Sequence, residues 1–384
     1  MTASSTDDAG TIARRKAEHL RIAASADVET RRGAGWDDVH LVHEALPTID
    51  AASVDLSATL LRHRLSLPLV ISGMTGGHGD AERVNGILAR AAARHGVAIG
   101  VGSQRAALRD PALTRTYAIV RESAPKAFVI ANVGISQLVR QDDGAPLNAR
   151  DIRALISMIR ANAIALHLNY LEESVQPEGQ TRARGSAAAV RALVRRSPVP
   201  VIAKETGAGI GGPGARRLRA LGVKAIDVGG VGGTSFAAIE ALRAAERGDV
   251  ARARLGERFR DWGLPSAVAV AGSVRSGLPV IATGGVRSGL DAAKALALGA
   301  VAVGVGRPLL RAALEGDAAV DDWIAQFALE LRTATFLSGA RRSRELKLRP
   351  HVVTGATRDW IEQLGYGGSA RRTGGARTST RSRR

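Results

Sequence analysis

Eight short apolar, β-branched runs recur along this chain, each ending in glycine or polar residues. They are LPLVIS (67–72), HGVAIGVG (95–102), AFVIANVG (127–134), AIALHLN (163–169), VPVIAKE (199–205), VKAIDVGG (223–230), LPVIATGG (278–285) and AVAVGVG (300–306). Continuous apolar runs of this length suit parallel strands buried on both faces. Between most of them lie Ala-, Leu- and Arg-rich stretches of helical period, such as AERVNGILARAAARHG and GARRLRALG. Strand and helix alternating eight times predicts an α/β fold, a (β/α)8 TIM barrel.

The segments outside the repeat are few. TIARRKAEHLRIAAS predicts an N-terminal helix, and GWDDVHLVHEALPTID a short strand or extended cover. Residues 231–277 separate the sixth and seventh runs, long enough for an extra active-site loop around RFRDWGLPSA. LELRTATFLSGARRSRELKLR and TRDWIEQLG read as closing helices. Residues 1–366 are therefore expected to form one domain, and residues 367–384 a flexible, disordered basic tail.

Composition narrows the chemistry. The absence of cysteine excludes disulfides, thiolate catalysis and cysteine-ligated metals. Residues 1–30 are polar and show no apolar signal-peptide core, and no apolar run reaches transmembrane length, which predicts a cytoplasmic protein with no membrane span. The net charge of +18 invites a nucleic-acid reading, but six arginines and no acid lie in the last fourteen residues. We read that tail as solvated, able at most to attract polyanions weakly, with no specific nucleic-acid partner. The positive excess in the body also fits an anionic small substrate.

The stretch VIATGGVRSGLDAAKALALGAVAVGVGRPLL (280–310) predicts a phosphate cradle. Gly284 and Gly285 let backbone approach a ligand closely. Ser288 and Asp291 form a capping-box pattern, so a helix N-terminus is expected to point N–H groups at those glycines. Gly306 and Arg307 follow the last strand, with Pro308 suited to a first helical turn. In a barrel of this kind such a cradle follows strands seven and eight.

Active-site groups of a barrel sit just after each strand. Here these are Met74-Thr75-Gly76-Gly77, Ser103-Gln104-Arg105, Asn132, His167 with Asn169, Lys204-Glu205, Asp227 with Thr234, Gly284-Gly285-Arg287, and Gly306-Arg307. Together they favour one large anionic ligand on the mouth and a second polar ligand above it. His167 fits a satisfied core histidine as well as a ligand contact. Lys204 ends an apolar strand, where an ammonium needs a partner, and an anionic ligand is the expected one. Glu172 and Glu173 fit a solvated helix start or a hard-cation site equally well. The basic trio Arg14, Arg15 and Lys16 fits a surface face or a phosphate clamp.

Taken in order, RRKAEHL, DDVHLVHEALPTID, PLVISGMTGG, GVGSQR, ANVG, LHLN followed by EE and QPEG, KETGAG, DVGGVGGTSFAAIE, RFRDWG and GGVRSGLDAAKALALGA make the chain resemble the type 2 isopentenyl-diphosphate isomerases. The resemblance runs from about Arg14 to Leu364. It implies interconversion of isopentenyl and dimethylallyl diphosphate on an FMN-binding TIM barrel, with reduced FMN, NADPH as reductant and Mg2+. It also implies a homo-oligomer, a tetramer or octamer. FMN contacts would be Met74, Thr75, Ser103, Asn132, Lys204 and Thr234, with Gly284, Gly285, Arg287 and Gly306 holding its phosphate. Substrate would meet Arg15, Lys16, Arg105, His167, Asn169 and Glu172; Glu172 and His167 would be catalytic, and Glu173 would bind the metal.

Two positions depart from that family pattern. Glu172 stands where glutamine is usual, and Gln180 where aspartate follows PEG; an aromatic residue expected soon after is missing from TRARG. Two adjacent carboxylates beside a diphosphate repel it unless a metal or proton intervenes, so Glu172 is expected to join Glu173 on Mg2+ or to stay protonated. The alternative readings are a flavin-dependent oxidoreductase on the same barrel and a diverged paralogue that binds flavin or a prenyl diphosphate.

Overall fold

The computed structural model describes residues 3–142 and 144–367, with side chains from Arg14 onward. The expected tail beyond Gly367 lies outside the described residues.

Each apolar run contains one barrel strand. They are β1 Leu69–Ile71, β2 Ala98–Gly100, β3 Val129–Gly134, β4 Ala163–Leu168, β5 Val201–Glu205, β6 Ala225–Asp227, β7 Val280–Thr283 and β8 Ala302–Val305. They pair in chain order, all parallel, and β8 returns onto β1 with Val303 opposite Leu69. Side chains alternate across a strand, so each run serves two cores. Leu69, Ile71, Ile99, Leu166 and Val303 point outward into the core shared with the surrounding helices. Val70, Ala98, Ile130, Ala165, Ile202 and Ile281 point inward and fill the barrel. The hairpin Ala58–Leu60 with His63–Leu65 closes the lower end by adding Leu60 and Leu65 to that inner core. Burying each of these leucines fully contributes about 1.5–3 kcal/mol.

One step further up the barrel, the inward position becomes polar. Ser72 follows Val70, Asn132 follows Ile130, His167 follows Ala165, Lys204 follows Ile202, Asp227 follows Ala225 and Thr283 follows Ile281. The period of two thus turns an apolar plug into a polar floor without any break in the strands.

The N-terminal helix spans Ala3–Ser25, and the expected cover supplies Val39–Leu41, paired antiparallel with His351–Val353. Residues 231–277 differ from the loop expected there. They hold three helices, Phe236–Glu246, Val250–Arg258 and Ser266–Ser273. Ser235 and Asp249 cap the first two, accepting from Ala238 N (3.2 Å) and Arg252 N (3.0 Å). RFRDWG is only the connection after the second helix, and Asp261 there accepts from Arg31 N at 2.7 Å. Of the closing helices, Asp317–Leu337 and Gly355–Gln363 form, while Ser343–Leu348 is a 3-10 helix. No helix among the described residues is long and apolar enough to cross a membrane.

Candidate active site

A cavity of about 280 Å3, open to solvent, lies over the C-terminal ends of the strands. It is lined by Arg15, Lys16, Arg105, His167, Asn169, Glu172 and Glu173, and by Met74, Thr75, Ser103, Asn132, Lys204, Thr234, Gly284, Gly285, Arg287 and Gly306, whereas Gly77, Gln104, Glu205 and Asp227, which also follow strands, do not line it. Residues from 15 to 306 in the chain therefore meet in one place.

One wall is cationic. The N-terminal helix crosses the mouth and sends Lys16 inward, where its Nζ donates to Gly76 O (2.9 Å), Tyr117 Oη (2.6 Å) and Ser103 O. Burial, and then repulsion from Arg15, pull Lys16 down to about 7. His167 is pushed down to about 3 by burial, then by Lys204, Lys16 and Arg15, so its ring is neutral. Asn132 Nδ2 donates to Val101 O (2.9 Å), which turns its Oδ1 toward His167 Nδ1 at 2.7 Å. That arrangement assigns the proton to Nδ1 and leaves Nε2 an acceptor. Arg105 Nη1 donates to Gln180 Oε1 at 3.2 Å.

The facing wall is acidic. Asn169 Nδ2 donates to Glu172 Oε2 and to Glu173 Oε1, both at 3.1 Å. Glu173 Oε1 also accepts from Ser136 Oγ (3.0 Å), and its Oε2 from Gln180 N (2.7 Å). Glu172 is pushed up to about 8 by burial, then by Glu240 and Glu173, so it carries a proton at neutral pH. Behind it, His19 Nε2 meets Glu240 Oε1 at 2.6 Å, and Arg243 Nη1 meets Glu240 Oε2 at 2.5 Å. His19, Glu172 and Glu240 come within 4.8 Å of one another. Glu240 Oε1 is held by His19 and Oε2 by Arg243, so the cluster is continuous with the ionic network around Arg243. Arg243, fully buried, also binds Glu18 (2.9 Å) and Glu178 (3.5 Å), and Arg247 binds both of those. The network ties the N-terminal helix and the QPEG turn to the 236–246 helix.

The cradle after β7 and β8 is built largely as expected. Gly284 and Gly285 have φ of 110° and 66°. A Cβ on Gly284 would overlap Gly230 O and Ser266 Oγ, so only glycine fits. The helix Arg307–Glu315 starts at Gly306 with no side-chain cap, and Gly306, Arg307 and Pro308 line the cavity. The other helix, Gly289–Ala297, departs from expectation. Its Gly289 N donates to Glu330 Oε2 (2.7 Å) and Asp291 N to Ser288 Oγ (3.0 Å), so protein groups already satisfy those donors. Arg287 pairs with Glu29 Oε2 (2.7 Å) and Arg307 with Glu29 Oε1 (3.0 Å), one carboxylate bridging the two guanidiniums.

Lys204 also departs from expectation. Its nearest anion belongs to the protein: Asp227 Oδ2 at 3.3 Å, with Glu205 O at 3.0 Å. Glu205 itself shapes the turn after β5, its Oε2 accepting from the N–H groups of Thr206, Gly207, Ala208 and Gly209. Sequence reasoning missed His19, Glu29, Glu240 and Arg243. His19 had a signal, since it lies four residues after Arg15 and shares its helix face. Glu240 and Arg243 had none apart from the TSFAAIE motif.

A parallel eight-stranded barrel with glycine turns facing the cavity after its last two strands defines the class. The FMN-dependent dehydrogenase family model accordingly matches residues 146–353. The same fold appears in a lactate oxidase of Pediococcus acidilactici (TM-score 0.64, 17% identity, 90% of this chain and 94% of that one). It appears also in a mandelate oxidase variant with an FMN adduct (TM-score 0.55, 19% identity, 90% of this chain and 100% of that one). Much nearer in sequence are the isopentenyl-diphosphate delta-isomerases of Methanoregula boonei and Methanothermobacter thermautotrophicus. The first is 48% identical over 91% of this chain and 96% of its own length, the second 45% over 92% and 97%. The chain belongs to the isopentenyl-diphosphate delta-isomerase family.

Proposed function

We propose that this protein interconverts isopentenyl diphosphate and dimethylallyl diphosphate by an allylic proton shift, with reduced FMN, NADPH as the reductant and Mg2+. The observation that carries the reading is the cationic wall. Burial holds both Lys16 and His167 below their ordinary values; Arg15 adds to this at Lys16, and Lys204, Lys16 and Arg15 add to it at His167. Cations crowded into one cavity against their own repulsion make a site that an oligoanion relieves. A diphosphate supplies that charge, and its alkenyl tail is left facing Glu172.

The residues fit FMN. Ser72 Oγ and Thr283 Oγ1 are buried and have no hydrogen-bond partner among the described residues, and both line the cavity. The Gly284–Gly285 turn and the Gly306 helix start would take the phosphate, and Ser103, Asn132 and Lys204 the ring edge. They also fit Mg2+: Glu173 offers hard carboxylate oxygens at the cavity wall, its Oε2 accepting only from Gln180 N among the described residues, and it would hold a cation that offsets the diphosphate charge. When bound, reduced FMN supplies an N–H acid and an electron-rich ring beside the tertiary carbon that becomes cationic.

The chain's own groups do the rest. Arg15, Arg105 and Lys16 attract and orient the diphosphate, which fixes the alkene relative to the acidic wall. With its proton on Nδ1, His167 offers Nε2 as an acceptor and meets the phosphate through a bridging donor such as water, so it serves binding better than proton shuttling. Glu172 keeps its proton at neutral pH and offers an O–H at the reacting carbons, where an amide would offer an N–H. The helix across the mouth limits access of water to the cation.

The test is incubation of the protein with isopentenyl diphosphate, FMN, NADPH and Mg2+ under anaerobic conditions in D2O. Proton NMR should show the two vinylic methyls of dimethylallyl diphosphate and deuterium incorporation, with no NADPH consumed after the flavin is reduced. Stoichiometric NADPH oxidation per product would instead support the oxidoreductase reading.

A further inference from the structure

The polar floor of the barrel holds an ion pair that the proposed chemistry leaves without a role. Lys204 and Asp227 are register partners on β5 and β6, both pointing inward, 3.3 Å apart and almost fully buried. Lys204 lines the large cavity; Asp227 does not. Asp227 faces a second, water-sized void of about 20 Å3 inside the barrel, which it shares with Lys204, Asn132 and Ser72. Those three residues and Gly73 border both spaces, so Lys204 is the charged group that stands between Asp227 and the ligand cavity. Its Oδ1 has no hydrogen-bond partner among the described residues. A buried carboxylate kept there at such cost has an electrostatic consequence for whatever Lys204 faces.

We infer that Asp227 is a positioning residue for the flavin: it fixes the Lys204 ammonium at the cavity floor and sets how much of that charge the ring feels. The inference rests on the FMN reading above. An isolated ammonium beside the ring favours the reduced form, whose added electron density it stabilises. A carboxylate directly behind the ammonium makes the pair a dipole and weakens that pull. Asp227 therefore holds the flavin potential lower than Lys204 alone would. Oxidised FMN gains two electrons with one proton to give the anionic reduced ring, or with two protons to give the neutral one. Weakening the Lys204 field shifts this balance toward the neutral ring, which keeps the second proton.

The experiment compares FMN-loaded wild type with Asp227→Asn, Asp227→Ser and Asp227→Glu. Each is titrated with dithionite against a reference dye, and the reduced-flavin spectrum is recorded between pH 6 and 9. Asp227→Asn and Asp227→Ser should raise the reduced-to-oxidised ratio at fixed potential at least tenfold, about 30 mV for a two-electron couple. They should also extend the anionic reduced spectrum to lower pH, while Asp227→Glu stays within threefold of wild type. Two charge-removing variants of different size keep the test available if one of them does not fold. Potentials within threefold of wild type, or lower, in the folded Asn or Ser variant overturn the inference. Failure of wild type itself to bind FMN overturns the FMN reading instead, a separate result.

Discussion

Binding of the diphosphate should draw a proton from solution above pH 7, and Lys16 is the group that takes it up. In the ligand-free protein its value is about 7 rather than 10.5. That displacement of about 3.5 units corresponds to about 5 kcal/mol between its two protonation states. The sign follows from its direction: above pH 7 the free protein has lost the Lys16 proton, while a bound anion restores the ammonium. Affinity should therefore fall about tenfold per pH unit above 7, about 100-fold by pH 9, or ~2.7 kcal/mol. At pH 8 uptake should approach about 0.9 proton per site. The substrate contributes little there, because phosphate groups lose their last proton near about pH 6. Protein loaded with oxidised FMN binds without turnover, so calorimetry in buffers of different ionisation enthalpy reads the uptake directly. In a Glu172→Gln background, which silences the carboxyl held near 8, Lys16→Met should abolish it and flatten the affinity between pH 7 and 9. Uptake below about 0.2 proton at pH 8 in the wild type refutes the reasoning, and uptake that persists in Lys16→Met assigns it to another group.

Glu172→Gln should keep kcat at pH 7 within about tenfold (~1.4 kcal/mol) and remove a decline above pH 8 caused by loss of the Glu172 proton; a loss beyond 100-fold at pH 7 would make the carboxyl proton the one transferred. Arg243→Met leaves Glu240, Glu18 and Glu178 without their shared cation, and urea unfolding should show about 3–5 kcal/mol of destabilisation, with Arg247→Met costing less than half as much. Gly284→Ala forces a Cβ onto Gly230 O at φ 110°, and equilibrium dialysis should show FMN affinity reduced at least tenfold with the fold retained by circular dichroism.

Much of this molecule is legible in its sequence because barrel strands are locally encoded. An apolar, β-branched run such as VPVIA needs both faces buried, and the polar residue two places after the last inward alanine or isoleucine must face the barrel axis. Lys204, His167 and Asn132 could be placed by that rule alone. Local pattern is silent on pairing between distant segments. Nothing near Arg243 says that its carboxylates come from residues 18, 178 and 240. Nothing near Lys204 says that Asp227 is its neighbour, because register between strands is a tertiary result. The stretch 231–277 misleads for a different reason. Its arginine-rich middle, VARARLGER, has too weak an apolar face to advertise a helix, and the Gly263 and Pro265 signals dominate the eye.

The buried ionic strap beneath the mouth also dictates the order of assembly during synthesis. Arg15, Lys16 and His19 leave the ribosome early, yet their helix is fastened by Glu240, Arg243 and Arg247, and the segment just after it by Arg307. More than two hundred residues must be translated before those fasteners exist, about 10–40 s at ordinary elongation rates. Through that interval Lys16 can reach its acceptors on Gly76, Ser103 and Tyr117, but Glu18 and His19 lack their ionic partners, and the strands behind can pair only with their immediate predecessors. A nascent barrel is thus left open until its final third emerges, and a chain truncated before residue 240 cannot bind diphosphate however well its first strands have folded.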